Sequence, residues 1–272
     1  MYHSWELCSY TSTSTIHSIS MTSAEELQLL GAASGVSPYV IRVQMALAVK
    51  GLSYEYIPED VQRKSDLLAA SNPVHRKVPV LLHAGRPVCE SLVLLEYLDD
   101  AFPTNNNGSG APSVLLLPVA PRPRALARFW AAFVDGTLFP SCLGMLKRTA
   151  PQERAEMVEA TLRALGHLEG VLAEVVGEEA PFFGGRAVGF LDIALGCYLP
   201  WLEVVGRLAG VAPPLLDAAG RTPRLAAWAE RFRAAEPVGA LLPAADKVEE
   251  YVTTVLYPKW NAAAAAAASA GN

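Results

Sequence analysis

The stretch NPVHRKVPVLLHAGRPVCES, Asn72 to Ser91, contains much of the information about the fold. Its two apolar runs, VPVLLH and RPVCE, are separated by Ala-Gly, and this pattern predicts a β-hairpin. The Val78-Pro79 bond just before the first strand is a candidate cis peptide bond. An interrupted strand start would leave the Val78 backbone free to pair with an extended peptide ligand. The alternative is that Pro79 simply begins an edge strand.

The residues around this hairpin alternate between strand-like and helix-like patterns. VSPYVIRVQMALAVKG, Val36 to Gly51, predicts a helix with Ser37 as its N-cap, Pro38 in its first turn and a glycine stop. We also predict strands in LQLLGA and LSYEYIPED, and helices in SDLLAAS, capped by Ser65, and ESLVLLEYLDDAFP. The order strand, helix, strand, helix, hairpin, helix predicts a mixed sheet covered by helices.

The second half of the chain has a different pattern. After the Asn-, Gly- and Pro-rich stretch that follows Pro103, every strong periodicity is helical, which predicts an α-helical bundle. The expected divisions are a disordered extension at 1–23, an α/β domain at 24–103, a linker at 104–121, a helical domain at 122–258 and an Ala-rich tail at 259–272.

Composition excludes several classes of function. A net charge of −5 gives no electrostatic footprint for nucleic acid. The longest apolar runs are broken by Asp, Pro and Glu, which argues against a transmembrane span. The four cysteines are scattered without CxxC spacing or a Cys/His cluster, so neither a metal site nor a dithiol redox pair is indicated. We expect a reducing, intracellular compartment.

Ser37 is the first candidate for chemistry. Free N–H groups and the positive end of the dipole at a helix start favour an anion, such as a thiolate. A free thiol has a pKa near about 8.5 and is mostly protonated at neutral pH. Lowering that pKa by about two units needs about 2.7 kcal/mol, which a hydroxyl hydrogen bond and a helix end can supply. A Ser-Pro pair alone, however, is more often only a helix cap.

Two further groups could bind the ends of a small peptide. Glu90 could accept a hydrogen bond from an ammonium, while Ser91 and its backbone N–H could hold a carboxylate. The plainer alternative is a helix cap with a neighbouring acid. Lys64, Arg76 and Lys77 form a basic set that could hold a second carboxylate, although such charges are usually only solvated.

The order and spacing of these signals resemble the plant tau class of glutathione transferases. The likeness covers roughly Leu27 to Tyr251, and NPVHRKVPVLLHAGRPVCES is its most specific part. It implies a thioredoxin-like α/β N-terminal domain, an all-α helical-bundle C-terminal domain and a homodimer. It also implies glutathione as co-substrate, with no metal or other cofactor, and a cytosolic location without nucleic acid or membrane partners.

The resemblance assigns roles to individual residues. Ser37 would donate a hydrogen bond to the glutathione thiolate while also capping its helix. Glutathione would otherwise be bound by the matching residues Lys64, Lys77, Val78, Glu90 and Ser91, beside a cis Pro79. The hydrophobic electrophile site would lie between the domains and include Phe133 and Trp201, although both are also plausible core aromatics. Asp192 would have a folding role in a helix-capping element.

One loop departs from the family pattern. Tau-class proteins commonly carry a tryptophan just before the serine, whereas LLGAASGVS is longer and has no aromatic residue. Because this loop borders the electrophile site, it affects substrate specificity rather than the thiolate chemistry.

We expect conjugation of glutathione to hydrophobic electrophiles, with peroxidase activity as a compatible side reaction. One alternative is a non-catalytic carrier of flavonoids or other apolar ligands. Another is a thiol transferase or dehydroascorbate reductase, which would need a cysteine where Ser37 stands; Cys89 lies on a different loop.

Overall fold

The computed structural model describes residues 27–103, 114–175 and 180–270. The extension expected at 1–23 and residues 104–113 of the expected linker lie outside the described residues.

The first domain contains one four-stranded sheet and three helices. Its elements are β1 (Leu27–Ala32), α1 (Pro38–Val49), β2 (Glu55–Glu59), α2 (Asp66–Ser71), β3 (Val80–His83), β4 (Arg86–Cys89) and α3 (Ser91–Ala101). The strand order is β2-β1-β3-β4. β1 runs parallel to β2 and antiparallel to β3, and β3 is antiparallel to β4. This is the predicted mixed sheet, with every predicted element in place.

The hairpin forms because its turn residues accept the required backbone conformation. Ala84 and Gly85 both have positive φ, 49° and 73°, as the two central residues of a type I′ hairpin turn require. The alternation of side chains then divides the sheet into two faces. Leu29 and Leu81 pack into the large core shared with α1 and α3, whereas Leu30 belongs to a separate cluster with Leu68 of α2 and its neighbours.

The second domain is helical, as predicted. Its elements are α4 (Pro121–Phe133), a π-helical turn (Val134–Leu138), α5 (Phe139–Lys147), α6 (Pro151–Val175), α7 (Phe190–Gly196), α8 (Leu199–Leu208), α9 (Pro223–Ala234), a short 3-10 turn (Gly239–Leu241), α10 (Ala245–Tyr251), a second π-helical turn (Val252–Leu256) and α11 (Tyr257–Ala270).

Two apolar segments of the second domain change helix type or divide into two helices, each next to a proline. FLDIALGCYLPWLEVVGRL forms α7 and α8, with Pro200 in the first turn of α8, and the α4–α5 stretch changes to a π-helical turn before Pro140. Proline has no N–H to donate to the helical ladder and is therefore tolerated only near a helix start. The Ala-rich tail, which had no predicted structure, continues α11 to Ala270, because alanine has the highest helix propensity.

The helical stretch from Pro121 to Lys147 is, within the described parts of the chain, long and apolar enough to cross a membrane by length and composition. Its apolar side chains Ala131, Val134, Leu138 and Met145 are buried in the protein core. Burial of these side chains is what a core helix of a globular fold requires.

A buried ion pair holds the chain where it passes between the two domains. Lys50 Nζ lies 3.0 Å from Asp99 Oδ1, and the two side chains are 1% and 3% exposed. Asp99 also accepts hydrogen bonds from the backbone N–H groups of Leu116 and Leu117, and Lys50 donates to the carbonyl of Val114. The backbone groups of Val114, Leu116 and Leu117 in the segment between the domains therefore find hydrogen-bond partners on the first domain.

Asp192 has contacts that fit the expected folding role. Its carboxylate accepts hydrogen bonds from the N–H groups of Phe183, Gly184 and Gly189 and from Trp228 Nε1 at 2.8 Å. Burial raises the pKa of Asp192 to about 6, against the opposing effect of these four donors. One side chain thus joins the start of α7 to the loop before it and to α9.

Lys50→Met should lower the free energy of unfolding by about 3 kcal/mol, because Asp99 would remain buried without its counter-charge. Urea denaturation measures the change. Lys259→Met, which alters an exposed lysine, is the control and should cost less than about 0.5 kcal/mol. Equal stability of the two variants would contradict the structural role of the Lys50–Asp99 pair.

Candidate active site

Strand register brings four of the predicted site residues to one edge of the sheet. Leu30 near the end of β1 pairs with Val80 at the start of β3, which in turn pairs with Cys89 at the end of β4. The chain therefore leaves β1 toward Ser37, enters β3 through Val78, and leaves β4 through Glu90 and Ser91 at the same edge. Ser37 and Ser91, which are 54 positions apart in sequence, are thus brought to the same edge of the sheet.

Ser37 occupies the N-cap position of α1, but its hydroxyl makes no capping hydrogen bond. The expectation that its side chain also caps the helix is therefore wrong. Its backbone carbonyl begins the helical ladder by accepting from the N–H groups of Val40 and Ile41, so the helix start forms without the hydroxyl. Because Ser37 is partly exposed, its O–H can donate to an external anion.

The Val78-Pro79 peptide bond is cis. Val78 precedes the first ladder pair of β3, so its N–H and C=O lie outside the strand pairing. The preceding loop is held by Asn72, whose side chain donates to the carbonyl of Lys77 and accepts from the N–H of His75. The backbone at Val78 is thus fixed and available for an extended ligand.

Glu90 joins β4 to α3 in an unusual backbone conformation. Its φ of 72° is positive, which costs a non-glycine residue about 1–3 kcal/mol and occurs at ligand sites as well as in turns. The side chain is 63% exposed, and His75 Nε2 lies 3.9 Å from its Oε1. The strained turn therefore presents a carboxylate at the same edge as Ser37.

Ser91 is buried, and its hydroxyl has a partner that sequence analysis missed. Arg42 Nη1 donates to Ser91 Oγ at 3.0 Å. Because the oxygen accepts this hydrogen bond, the hydroxyl proton remains free to be donated to a ligand carboxylate.

Arg42 connects the glutathione-site candidates to the second domain. Its guanidinium is fully buried and makes a bidentate ion pair with Asp135, at 2.8 and 2.6 Å. It also donates to the carbonyl of Ala194, and Tyr198 donates its hydroxyl to the same Asp135. The one sequence signal for this role was a charged residue inside the apolar face of α1.

The Arg42 guanidinium remains protonated although it is buried. Burial alone would lower the pKa of Arg42, but the hydrogen-bonded carboxylate of Asp135 helps to raise it well above its usual value. A fixed positive charge therefore stands directly behind Ser91.

Lys64, Arg76 and Lys77 are exposed on the loops around α2. The structure shows no ion pair for any of them with another described residue. Their contact with a ligand carboxylate stays a prediction.

The two aromatic candidates for the electrophile site lie in different surroundings. Trp201 is 4% exposed, and its Nε1 donates to the carbonyl of Val36 at 2.9 Å. Its ring makes edge contacts with Phe139 and Tyr251. Phe133 instead contacts Trp130 and His167, and no described ring contact joins it to Trp201.

Further aromatic residues lie next to Ser37 that sequence analysis did not single out. Tyr39, two residues after the serine, has edge contacts with Phe139 and Tyr198. Together with Trp201 and Tyr251 they form a continuous aromatic cluster beside the start of α1. Trp201 itself acts mainly as a buried support for the loop before Ser37.

The described cysteines are poor nucleophiles. Burial, with a smaller effect of Glu90, raises the pKa of the Cys89 thiol. Burial raises the pKa of Cys142 to about 12 and that of Cys197 to about 11. The thiolate form that redox exchange requires is therefore disfavoured at each of them, which argues against the thiol-transferase alternative.

Family models match both domains of the chain. A family model for the N-terminal domain of glutathione S-transferases matches residues 33–107, and one for the C-terminal domain matches residues 151–253. A probable glutathione S-transferase, GSTU6, from Oryza sativa subsp. japonica is 48% identical over 90% of this chain and 100% of its own length. Glutathione S-transferase U17 from Arabidopsis thaliana is 40% identical over 87% and 98%.

Solved structures show the same architecture. The tau-class glutathione S-transferase from mango, Mangifera indica, matches with a TM-score of 0.75 at 40% identity, covering 85% of this chain and 98% of that one. Rice GST1 in complex with glutathione matches with a TM-score of 0.73 at 42% identity and the same coverage. The thioredoxin-like domain, the helical domain and these relatives together show that the chain belongs to the tau class of the glutathione S-transferase family.

Proposed function

We propose that this protein conjugates the thiolate of glutathione to hydrophobic electrophiles. The observation that carries the proposal is that the Ser37 hydroxyl makes no helix-capping hydrogen bond. Ser37 follows the strand end at the same edge of the sheet as Val78, Glu90 and Ser91. The rice relative of known structure is a complex with glutathione, which supports the same ligand here.

Ser37 stabilises the thiolate rather than removing its proton. The hydroxyl donates to sulfur, and the helix start adds the positive end of its dipole. The thiol proton goes to solvent. The sulfur electron pair then forms the new bond to the electrophilic carbon, and the leaving group departs with its own electron pair or, in an addition, the electrons move onto the acceptor.

The remaining candidates bind the ends of the tripeptide. Glu90 accepts from the ammonium of the γ-glutamyl end, while Ser91 donates to its carboxylate and Arg42 orients Ser91 from behind. The Val78 backbone pairs with the cysteinyl part, and the exposed Lys64 and Lys77 neutralise the glycine carboxylate.

The electrophile lies between the domains, against the loop before Ser37. Trp201 and Tyr251 border this region from the second domain, and Phe133 remains a predicted contributor. A hydroperoxide can take the place of the carbon electrophile, because a stabilised thiolate also attacks the O–O bond; a second glutathione then completes the reduction.

A cavity supports the carrier function as a second candidate. It measures about 570 Å³ and lies between α8, α9 and the segment that joins them, with aliphatic lining residues that include Leu199, Leu202, Val211, Leu215 and Ala229. This volume is within the range of small-molecule sites. An apolar ligand could therefore be held away from Ser37.

We further propose a homodimer located in the cytosol. Exposed apolar residues occur on the neighbouring helices α3 and α4, namely Val93, Leu126 and Phe129. The Arg128–Glu96 ion pair joins the two helices beside them. The unpaired state of the three described cysteines fits a reducing compartment.

Ser37→Ala should lower kcat with 1-chloro-2,4-dinitrobenzene by about a hundredfold, while glutathione binding and the midpoint of thermal unfolding stay nearly unchanged. Ser65→Ala is the matched control, since Ser65 does cap its helix by accepting from the N–H of Leu68. It should lose about 1 kcal/mol of stability and keep its kcat. Full activity of Ser37→Ala would refute the proposed mechanism.

Arg42→Lys should raise KM for glutathione about tenfold, because a lysine cannot reach Ser91, Asp135 and the Ala194 carbonyl together. KM for the electrophile should change far less. Arg163→Lys, at an exposed pair with Glu159, is the control for the substitution type. Equal changes in the two KM values would argue against a positioning role for Arg42.

Phe129→Asp should shift the protein from dimer to monomer in light scattering coupled to size-exclusion chromatography, because it places a charge in the proposed contact. Leu67→Asp, a similarly exposed apolar position on α2, should leave the dimer intact. A wild-type monomer, or a Phe129→Asp dimer, would contradict the proposed interface.

A further inference from the structure

The loop before Ser37 has a positively charged neighbour from the second domain. Gly35 has a φ of 68°, and a Cβ at this position would lie 3.0 Å from Lys247 Nζ and 3.9 Å from its Cε. The end of the lysine side chain therefore rests on the Gly35 backbone. Since two residues span at most about 7 Å, its ammonium lies close to the start of α1.

The helix that carries Lys247 also borders the electrophile region. Tyr251 is one turn further along α10, so both side chains share one face of the helix. The Tyr251 ring contacts Trp201 edge-on, and Trp201 in turn holds the carbonyl of Val36. Lys247 therefore stands at the entrance from the second domain to the loop that leads into Ser37.

No ion pair joins Lys247 to an acidic side chain in the part of the chain that the structure describes. Among the described residues, Glu249 pairs with Arg207 at 2.7 Å, Glu203 with Arg233 at 3.3 Å, and Asp135 with Arg42. Asp246 and Glu250 also belong to α10, are exposed, and make no described ion pair with Lys247. The ammonium is thus available to an anionic group of a bound molecule.

We propose that Lys247 is an anion-recognising residue of the electrophile site, and that the protein prefers electrophiles that carry a carboxylate. This inference rests on the proposed conjugation of glutathione. A substrate would place its reactive carbon at the thiolate held by Ser37 and its carboxylate at the Lys247 ammonium, above Gly35. The aliphatic lysine stem and the Tyr251 ring would cover its apolar part.

Two electrophiles that differ in one group test the preference: 4-chloro-3-nitrobenzoate and the neutral 4-chloro-3-nitrobenzamide. In both, the thiolate sulfur forms a bond to the ring carbon, chloride leaves with the bonding electrons, and the thiol proton goes to solvent. The two substituents also differ in how strongly they activate the ring, but this intrinsic difference is the same for every variant and cancels when variants are compared. The quantity to measure is the ratio of kcat/KM for the carboxylate to kcat/KM for the amide.

Lys247→Gln should lower this ratio about tenfold, which is the effect of losing one hydrogen-bonded charge partner, and Lys247→Glu should lower it further. Lys259→Gln removes the same charge from an exposed position on α11 and should leave the ratio unchanged. An unchanged ratio in Lys247→Gln, or an equal loss of both activities, would overturn the inference.

Binding of the two pre-formed conjugates separates this inference from the proposed function. Calorimetry with S-(4-carboxy-2-nitrophenyl)glutathione and its amide should show a preference for the carboxylate that Lys247→Gln abolishes. That result without turnover would refute the conjugating function and retain the role of Lys247. Turnover in which neither the rates nor the affinities differ between carboxylate and amide would refute the role of Lys247 and retain the conjugating function.

Discussion

The ion pair between Arg42 and Asp135 joins the two domains at the point where the site is built. A fully buried guanidinium needs compensation for its lost hydration, and here the compensation comes from the sheet domain through Ser91 and from the helical domain through Asp135 and the Ala194 carbonyl. Asp135 lies in the π-helical turn between α4 and α5. The irregular turn, the buried arginine and the start of α3 therefore share one hydrogen-bond network.

Two residues at the candidate site lack the local stabilisation that their positions would normally have. Ser37 occupies an N-cap position without using its hydroxyl, and Glu90 holds a positive φ. Ser65, away from the site, makes the ordinary capping bond. A difference of this kind between Ser37 and Ser65 is expected if the Ser37 hydroxyl binds a ligand. The packing of the whole domain then stabilises a local conformation that the nearby sequence does not stabilise by itself.

Local patterns were sufficient to predict the strands, the hairpin and most of the helical segments, since each of these elements depends on residues close in sequence. The partners of Arg42 lie 49, 93 and 152 residues away, so periodicity could show only that a charge interrupts an apolar face. Ser37 and Ser65 carry the same capping signal, and only three-dimensional geometry distinguishes them. The family resemblance likewise assigned Phe133 to the electrophile site without showing that its ring contacts His167.

The hydrogen bond from Trp201 to the carbonyl of Val36 crosses from one domain to the other. Trp201, a residue of the proposed electrophile region, thereby also holds the chain segment that leads into Ser37. The proposed function therefore couples substrate range to thiolate reactivity. On this proposal, a helical domain of different specificity would also shift the serine on which the chemistry of the sheet domain depends.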